Sequence, residues 1–288
     1  LLSQTKRRQV SYSVIFNLNP NGEIIQSRFS KTIIHSDRRF TYEEAQSLIE
    51  GQDGEFKTEI VTLNELAKKI RKKRIGEGAL EISGIEVKFK LDSDNKKPIG
   101  VYFKTQKDSN KLIEEFMLLA NKEVAKFLNS KNSPNVYRCH NRPDIEKLKS
   151  LQEICKNFGH DFQISDDSDK IKNYINKLIL DVKDLPEENM IETLVTRSMS
   201  KAFYSTKNIG HYGLGFTNYS HFTSPIRRYP DLIVHRLLND FISTGKMSNP
   251  VKVEEQSMWC SSKELVAAKA QRDSIKYKQA EYLSDKMA

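Results

Sequence analysis

Apolar positions along the chain follow two rhythms, and the change between them divides it. Over the first third the runs are short, β-rich and bounded by turn formers. Residues 10–18 and 23–34 flank Asn19-Pro20-Asn21-Gly22, whose Asn-Gly pair favours a reversing turn, so these two runs predict a hairpin. Residues 79–91, with an interruption at Gly84, and 100–104 predict two further strands around a turn at 92–98. Two helices separate the pairs. Thr41 and Glu44 have the spacing of a capping box and open a short helix at Tyr42 that Gly51 stops. Residues 58–75 set Ile60, Leu63, Leu66, Ala67 and Ile70 on one stripe, crowd cations from Lys68 to Arg74 at its end, and stop at Gly76.

Beyond residue 107 the helical spacing takes over. Asp108 is expected to cap a helix reaching about residue 129, because Leu112, Ile113, Phe116, Leu119, Ala120, Val124 and Phe127 recur at three and four. Helices are also expected at 144–158, 169–181, 187–203, 231–243 and 254–288, with irregular structure at 206–230 and Asp231 capping the helix that follows it. The fold class is therefore α+β, with mixed or antiparallel strands in the first third and a mainly helical remainder. No repeat or long linker breaks the chain, which favours one domain.

Composition narrows the function. No apolar run approaches the ~18 residues of a membrane span, so a membrane is not an expected partner. Lys and Arg exceed Asp and Glu by nine, and the isoelectric point of about 9.2 favours polyanionic partners, nucleic acid first. Cys139, Cys155 and Cys260 lack the close pairs of zinc or disulfide frameworks and read as reduced thiols, consistent with a cytoplasmic location. The first ten residues lack the pattern of a secretory signal. The chain starts at a Leu and ends within a helical pattern, so both ends read as interior to a longer protein.

Residues 204–242 carry glycines, aromatics, histidines and two adjacent arginines ahead of an amphipathic helix, the composition of a functional loop. Pro225 and Pro230 stiffen the chain on both sides of Ile226-Arg227-Arg228-Tyr229. Guanidinium groups aimed this way suit phosphate, and Ser224 adds a neutral donor. The competing reading pairs one arginine with a buried carboxylate and leaves the other in solvent. Gly210, Gly213 and Gly215 lack the Lys-Ser or Lys-Thr ending of a nucleotide loop and read as turn or close-approach positions.

His211-Tyr212-Gly213-Leu214-Gly215-Phe216 and His221-Phe222-Thr223-Ser224-Pro225-Ile226-Arg227-Arg228-Tyr229-Pro230-Asp231-Leu232 resemble the signature of the RNB catalytic domain of the ribonuclease II and ribonuclease R family. Residues 36–44, 110–121 and 137–143 resemble further family segments in the family's order. The resemblance implies an RNB-type domain fragment over 1–288 and processive 3′–5′ hydrolysis of single-stranded RNA to nucleoside 5′-monophosphates, dependent on Mg2+. It implies that Arg227 holds phosphate near the scissile bond, with Arg228 its neighbour. It also implies that Tyr42 packs near the 3′-terminal nucleotides, and that Glu115, or Glu114, lies near the terminal sugar. Ser224, Tyr229, His221 and Phe89 complete the candidate RNA contacts, although Phe89 also suits the core and His221 a structural role.

One part of the family pattern has no counterpart in these residues. The family's aspartate cluster near the start of the domain does not occur in residues 1–288, and Asp166-Asp167-Ser168-Asp169 sits in a polar linker instead. No metal ligand is expected in this chain. Magnesium in the complete enzyme would be held elsewhere, and the cold-shock and S1 domains of the family are likewise outside this sequence. Glu264 fits the family pattern in the last helix, whereas Lys269 does not. The rival readings are a non-catalytic single-stranded RNA-binding module and metal-independent cleavage using His211 or His221 as acid and base.

Overall fold

The computed structural model describes residues 8–82, 86–94, 96–245 and 247–287. Gly84, with the interruption expected there, and the terminal residues 1–7 and 288 lie outside them. β1 (Arg8–Leu18) and β2 (Ile24–His35) form the expected antiparallel hairpin, in register from Arg8 opposite His35. Its turn closes on Asn19, whose side-chain oxygen accepts from the amides of Asn21 and Glu23. α1 (Tyr42–Ile49) starts with the reciprocal capping box, Thr41 Oγ1 accepting from Glu44 N at 3.1 Å and Glu44 Oε2 from Thr41 N at 2.7 Å.

α2 (Lys57–Gly76) and α3 (Asp108–Ser130) pack against one another and against α1. Asp108 is not the cap of α3. Lys107 holds that place, and its amide donates to the side-chain oxygen of Asn110 at 3.1 Å. β3 (Glu86–Leu91) pairs antiparallel with β4 (Pro98–Lys104). The strand expected from residue 79 starts later, because residues 79–82 find other partners: Leu80 N donates to Gly213 O, while Asn176 receives Glu81 N and donates to Ala79 O.

A third antiparallel pair, β5 (Tyr137–Cys139) with β6 (Phe203–Ser205), joins segments far apart in sequence. It explains why the helix expected at 187–203 stops early: residues 203–205 are held as a strand. The remaining helices are α4 (Ile145–Asn157), α5 (Ser168–Asp181), α6 (Glu188–Ser198), α7 (Tyr229–Thr244) and α8 (Pro250–Met287). Asp167, from the acidic linker, caps α5 by accepting from the amides of Asp169 and Lys170.

Among the described residues, two large apolar cores result, with smaller clusters around Phe216 and Tyr137. One joins α3, α7 and α8 through Val124, Leu128, Val234, Leu238 and Val253, with Tyr12, Val14 and Phe29 of the hairpin laid against it. The other gathers α4, α5 and α6 around Leu148, Ile175 and Ile191. Leu128 and Leu148 are fully buried, and each such side chain contributes about 1.5–3 kcal/mol. Residues 206–228 are largely irregular, as expected, apart from a short 3-10 turn at Tyr212–Leu214. This segment carries the candidate site.

Candidate nucleic-acid interface

The site is built on the turn that feeds α7. Ser224 O accepts from the amides of Arg227 at 3.3 Å and Arg228 at 3.0 Å, and Pro230 lies in the first helical turn, where its missing N–H costs nothing. Asp231 does not cap the helix, as its sequence position suggested, because the helix starts two residues earlier. It is fully buried and reaches back into the turn instead, where Oδ1 accepts from Ser224 N and from the Arg228 guanidinium, both at 2.8 Å. Asp231 Oδ2 and Arg228 Nε are buried without a partner among the described residues.

This arrangement splits the two arginines. Arg228 is paired with a buried carboxylate. Arg227 is exposed and makes no ion pair with a described residue, and Ile226 beside it is 63% exposed. The pairing that competed with phosphate binding in the sequence thus applies to Arg228 alone.

Behind the turn lies a layer of histidines and aromatics. Tyr204 OH bonds His221 Nδ1 at 2.9 Å, and Tyr219 meets both His221 and His211 edge to face. His140 is fixed on both nitrogens, by Gly213 N at 3.0 Å and Ser200 O at 2.8 Å. Burial, with lesser repulsion from Arg228 and Arg138, holds His221 down to about 2. Burial, then His140 and Arg138, holds His211 down to about 3. Burial thus favours the neutral form of both imidazoles, which weighs against an acid–base role for either. Burial also pushes the Tyr204 hydroxyl up to about 12.

Other side chains anchor this layer. Asn121 of α3 accepts from Phe222 N and Thr223 N and donates to Tyr219 OH. Arg138 of β5 lies 4.5 Å over the Tyr204 ring and bonds Glu264 of α8 at 2.6 Å, giving Glu264 a structural partner. Gly213 and Gly215 serve close approaches: a Cβ on Gly213 would stand 3.1 Å from His140 Nδ1, and Gly215 has φ +67° with the Ala79 backbone 3.2 Å from such an atom. Sequence reasoning missed Asn121 and Arg138. A polar Asn among the buried positions of an amphipathic helix was the available signal for the first; Arg138 gave none.

The remaining candidates fall elsewhere. Glu115 is 1% exposed, and both of its oxygens are taken by Arg74, with Arg71 at 3.5 Å. The carboxylate is thus engaged by arginines within the α2–α3 seam, although it also borders two cavities. Glu114, next to it, is half-buried and outside that pairing. Phe89 meets Tyr282 of α8 edge to face, so it packs against the fold and is not an open stacking surface. Tyr42 is 47% exposed at the start of α1, and Tyr229 is 40% exposed against Trp259. Of the five main cavities, Glu115 borders two and Tyr229 one. Neither Arg227 nor Tyr42 borders any of these five.

The residues do not fit a metal. Among those described, no three His, Cys, Asp or Glu side chains are placed to hold one, and the orphaned Asp231 oxygen shares its carboxylate with a guanidinium that would repel a divalent ion. The described cysteines are all free and buried. No helix among the described residues is long and apolar enough to cross a membrane.

Known proteins share this sequence and architecture. Ribonuclease R of Thermotoga maritima is 35% identical over 290 residues, covering 96% of this chain and 40% of that protein. DIS3-like exonuclease 2 of Schizosaccharomyces pombe is 36% identical over 257 residues, covering 80% and 27%. The chain thus spans two fifths or less of these relatives. Among solved structures, Mycoplasma genitalium RNase R in complex with ribose-methylated single-stranded RNA superposes with a TM-score of 0.89 at 24% identity, over 98% of this chain and 46% of that one. Yeast Ssd1, a pseudonuclease, gives 0.68 at 21%, over 89% and 32%. At such identities the likeness speaks for the fold. Residues 2–244 match the RNB domain, and the chain belongs to that family.

Proposed function

We propose that this chain is the RNA-holding part of a ribonuclease R-like 3′–5′ exoribonuclease, which degrades RNA processively to nucleoside 5′-monophosphates in the cytoplasm. One observation carries the reading: the turn before α7 pairs Arg228 with Asp231 and leaves Arg227 exposed with no ion pair to a described residue. A guanidinium on a proline-stiffened turn gives paired, charge-assisted hydrogen bonds to a phosphate at a reduced entropic cost. Ser224, three residues earlier in the turn, offers a hydroxyl as a neutral donor, and the net charge of +9 draws the polyanion in. Tyr42 is the candidate neighbour of the 3′-terminal nucleotides, and Glu114, outside the Arg74 pairing, is preferred to Glu115 as the candidate near the terminal sugar.

These residues bind and orient RNA, and none of them supplies the hydrolytic step. In the complete enzyme that step, with its magnesium and carboxylate ligands, falls to other residues, alongside cold-shock and S1 domains. The want of a metal seat among the described residues equally favours the second reading, a non-catalytic single-stranded RNA-binding module. Two measurements test both readings. The 288-residue chain should bind single-stranded RNA with an affinity that falls steeply with salt, and Arg227→Ala should weaken it by about 1–3 kcal/mol; unchanged affinity removes the phosphate assignment. With magnesium the chain should release no mononucleotides, whereas a longer protein from the same gene should; a longer protein that binds RNA without cleaving it leaves the binding module.

A further inference from the structure

We propose that Tyr229 and Trp259 form a corner that stacks a nucleobase of single-stranded RNA beside the phosphate held at Arg227. The proposal rests on the RNA-binding reading above and adds a subsite to it. Trp259 is the chain's one tryptophan and is 53% exposed. Its ring meets that of Tyr229 at 5.9 Å and 78°, so the two stand nearly at right angles. Together with Glu255 and Gln256 they line an open recess of about 320 Å³.

The helix fixes this placement. On α8, Val253, Ser257 and Cys260 are buried, Ser261 Oγ accepts from Tyr204 N at 2.8 Å, and Glu264 is tied to Arg138. With that face pinned, positions 255, 259 and 263, four apart, lie along one flank of the helix. Trp259 is thus held against the start of α7, two residues along the chain from Arg227.

Charge identifies the occupant. The Lys263 ammonium lies 5.8 Å over the Trp259 ring, and Glu255 is the one carboxylate lining the recess; Arg227, exposed and without an ion pair among the described residues, precedes Tyr229 by two positions in the chain. An apolar surface beside a cation suits a flat, uncharged ring carried on an anionic backbone, as a base is on its phosphodiester. The corner is made of ring faces and edges, with the Gln256 amide beside them, and stacking of this kind tolerates any base.

The single tryptophan reports on its own site. Short single-stranded RNA added to the 288-residue chain should quench Trp259 fluorescence in step with binding read independently by anisotropy of labelled RNA. Trp259→Leu should weaken binding roughly tenfold or more, and Trp259→Phe, which keeps a ring, should retain most of it, with circular dichroism confirming that both variants fold. RNA binding by anisotropy with unchanged tryptophan emission and equal affinity for Trp259→Leu overturns the corner while leaving the RNA reading intact. Absence of RNA binding at low salt overturns both. If Trp259→Leu instead turns a dimer into a monomer in sedimentation while RNA affinity holds, the corner is a contact between copies and the proposal is wrong.

Discussion

The α2–α3 seam and the turn before α7 both place two arginines against one buried carboxylate's worth of charge, and they resolve it differently. In the seam Arg74 takes both oxygens of Glu115, while Arg71, 3.5 Å from the same acid, donates to Glu81, so both guanidiniums have carboxylate partners within the fold. In the turn Asp231 pairs with Arg228 and accepts from Ser224 N, while Arg227 makes no ion pair with a described residue. Cationic residues close in sequence therefore do not by themselves mark a binding surface. The distinguishing feature of the proposed surface is a guanidinium with no ion pair among the described residues.

The largest expected effect lies in the seam. Glu115→Ala leaves the Arg74 guanidinium buried at 8% exposure without its acid, and removing one partner of such a pair costs about 3–5 kcal/mol. The denaturant midpoint should fall accordingly, while RNA affinity measured below the transition stays the same. A loss of affinity without a loss of stability would reverse the assignment and return Glu115 to the RNA. Replacing the pair together, by Arg74→Met with Glu115→Leu, should recover most of the stability, since no charge is then left unpaired.

The turn should show a smaller and mixed effect. Arg228→Ala strips the fully buried Asp231 of its cation but leaves the Ser224 amide bonded to it, so about 2–4 kcal/mol of stability is expected to go. RNA affinity should fall as well, because the turn that positions Arg227 loosens. Arg227→Ala gives the opposite profile, with stability unchanged within about 0.5 kcal/mol. Equal stability losses in the two variants, read from urea curves, would mean that Arg227 also has a structural partner and that the contrast between the regions is false.

Much of this was legible in the sequence, for reasons that differ by element. The hairpin and the Thr41–Glu44 box are local: their hydrogen bonds join residues a few positions apart, so turn chemistry and spacing suffice. Pairings at long range were not legible. β5 and β6 are three residues each and 64 or more positions apart, and nothing in either segment names the other. For the same reason Asp231 was taken as a local cap, whereas its oxygen faces a turn whose shape is set by Pro225 and Pro230. The pairing of Glu115 was likewise not legible, because its partner Arg74 lies 41 residues upstream.

Acid should separate the two regions further, with a smaller effect per residue. The layer behind the turn rests on neutral imidazoles, and burial holds His211 down to about 3 and His221 to about 2, against an ordinary value near 6.5. In the unfolded chain both take up a proton as the pH falls through 6.5, while in the folded chain they resist until far lower. Unfolding therefore binds protons, and the stability these residues contribute, complete above about pH 7, drains away as the pH drops towards 3. Between pH 7 and 5 each should contribute a loss of about 1–2 kcal/mol, from 1.36 kcal/mol per pH unit below 6.5. The denaturant midpoint at the two pH values measures the sum, and His221→Asn, which keeps a polar side chain without an ionisable ring, should flatten the slope by its share. An unaltered slope in that variant would mean that His221 is reached by water and that the turn is not backed by a neutral layer.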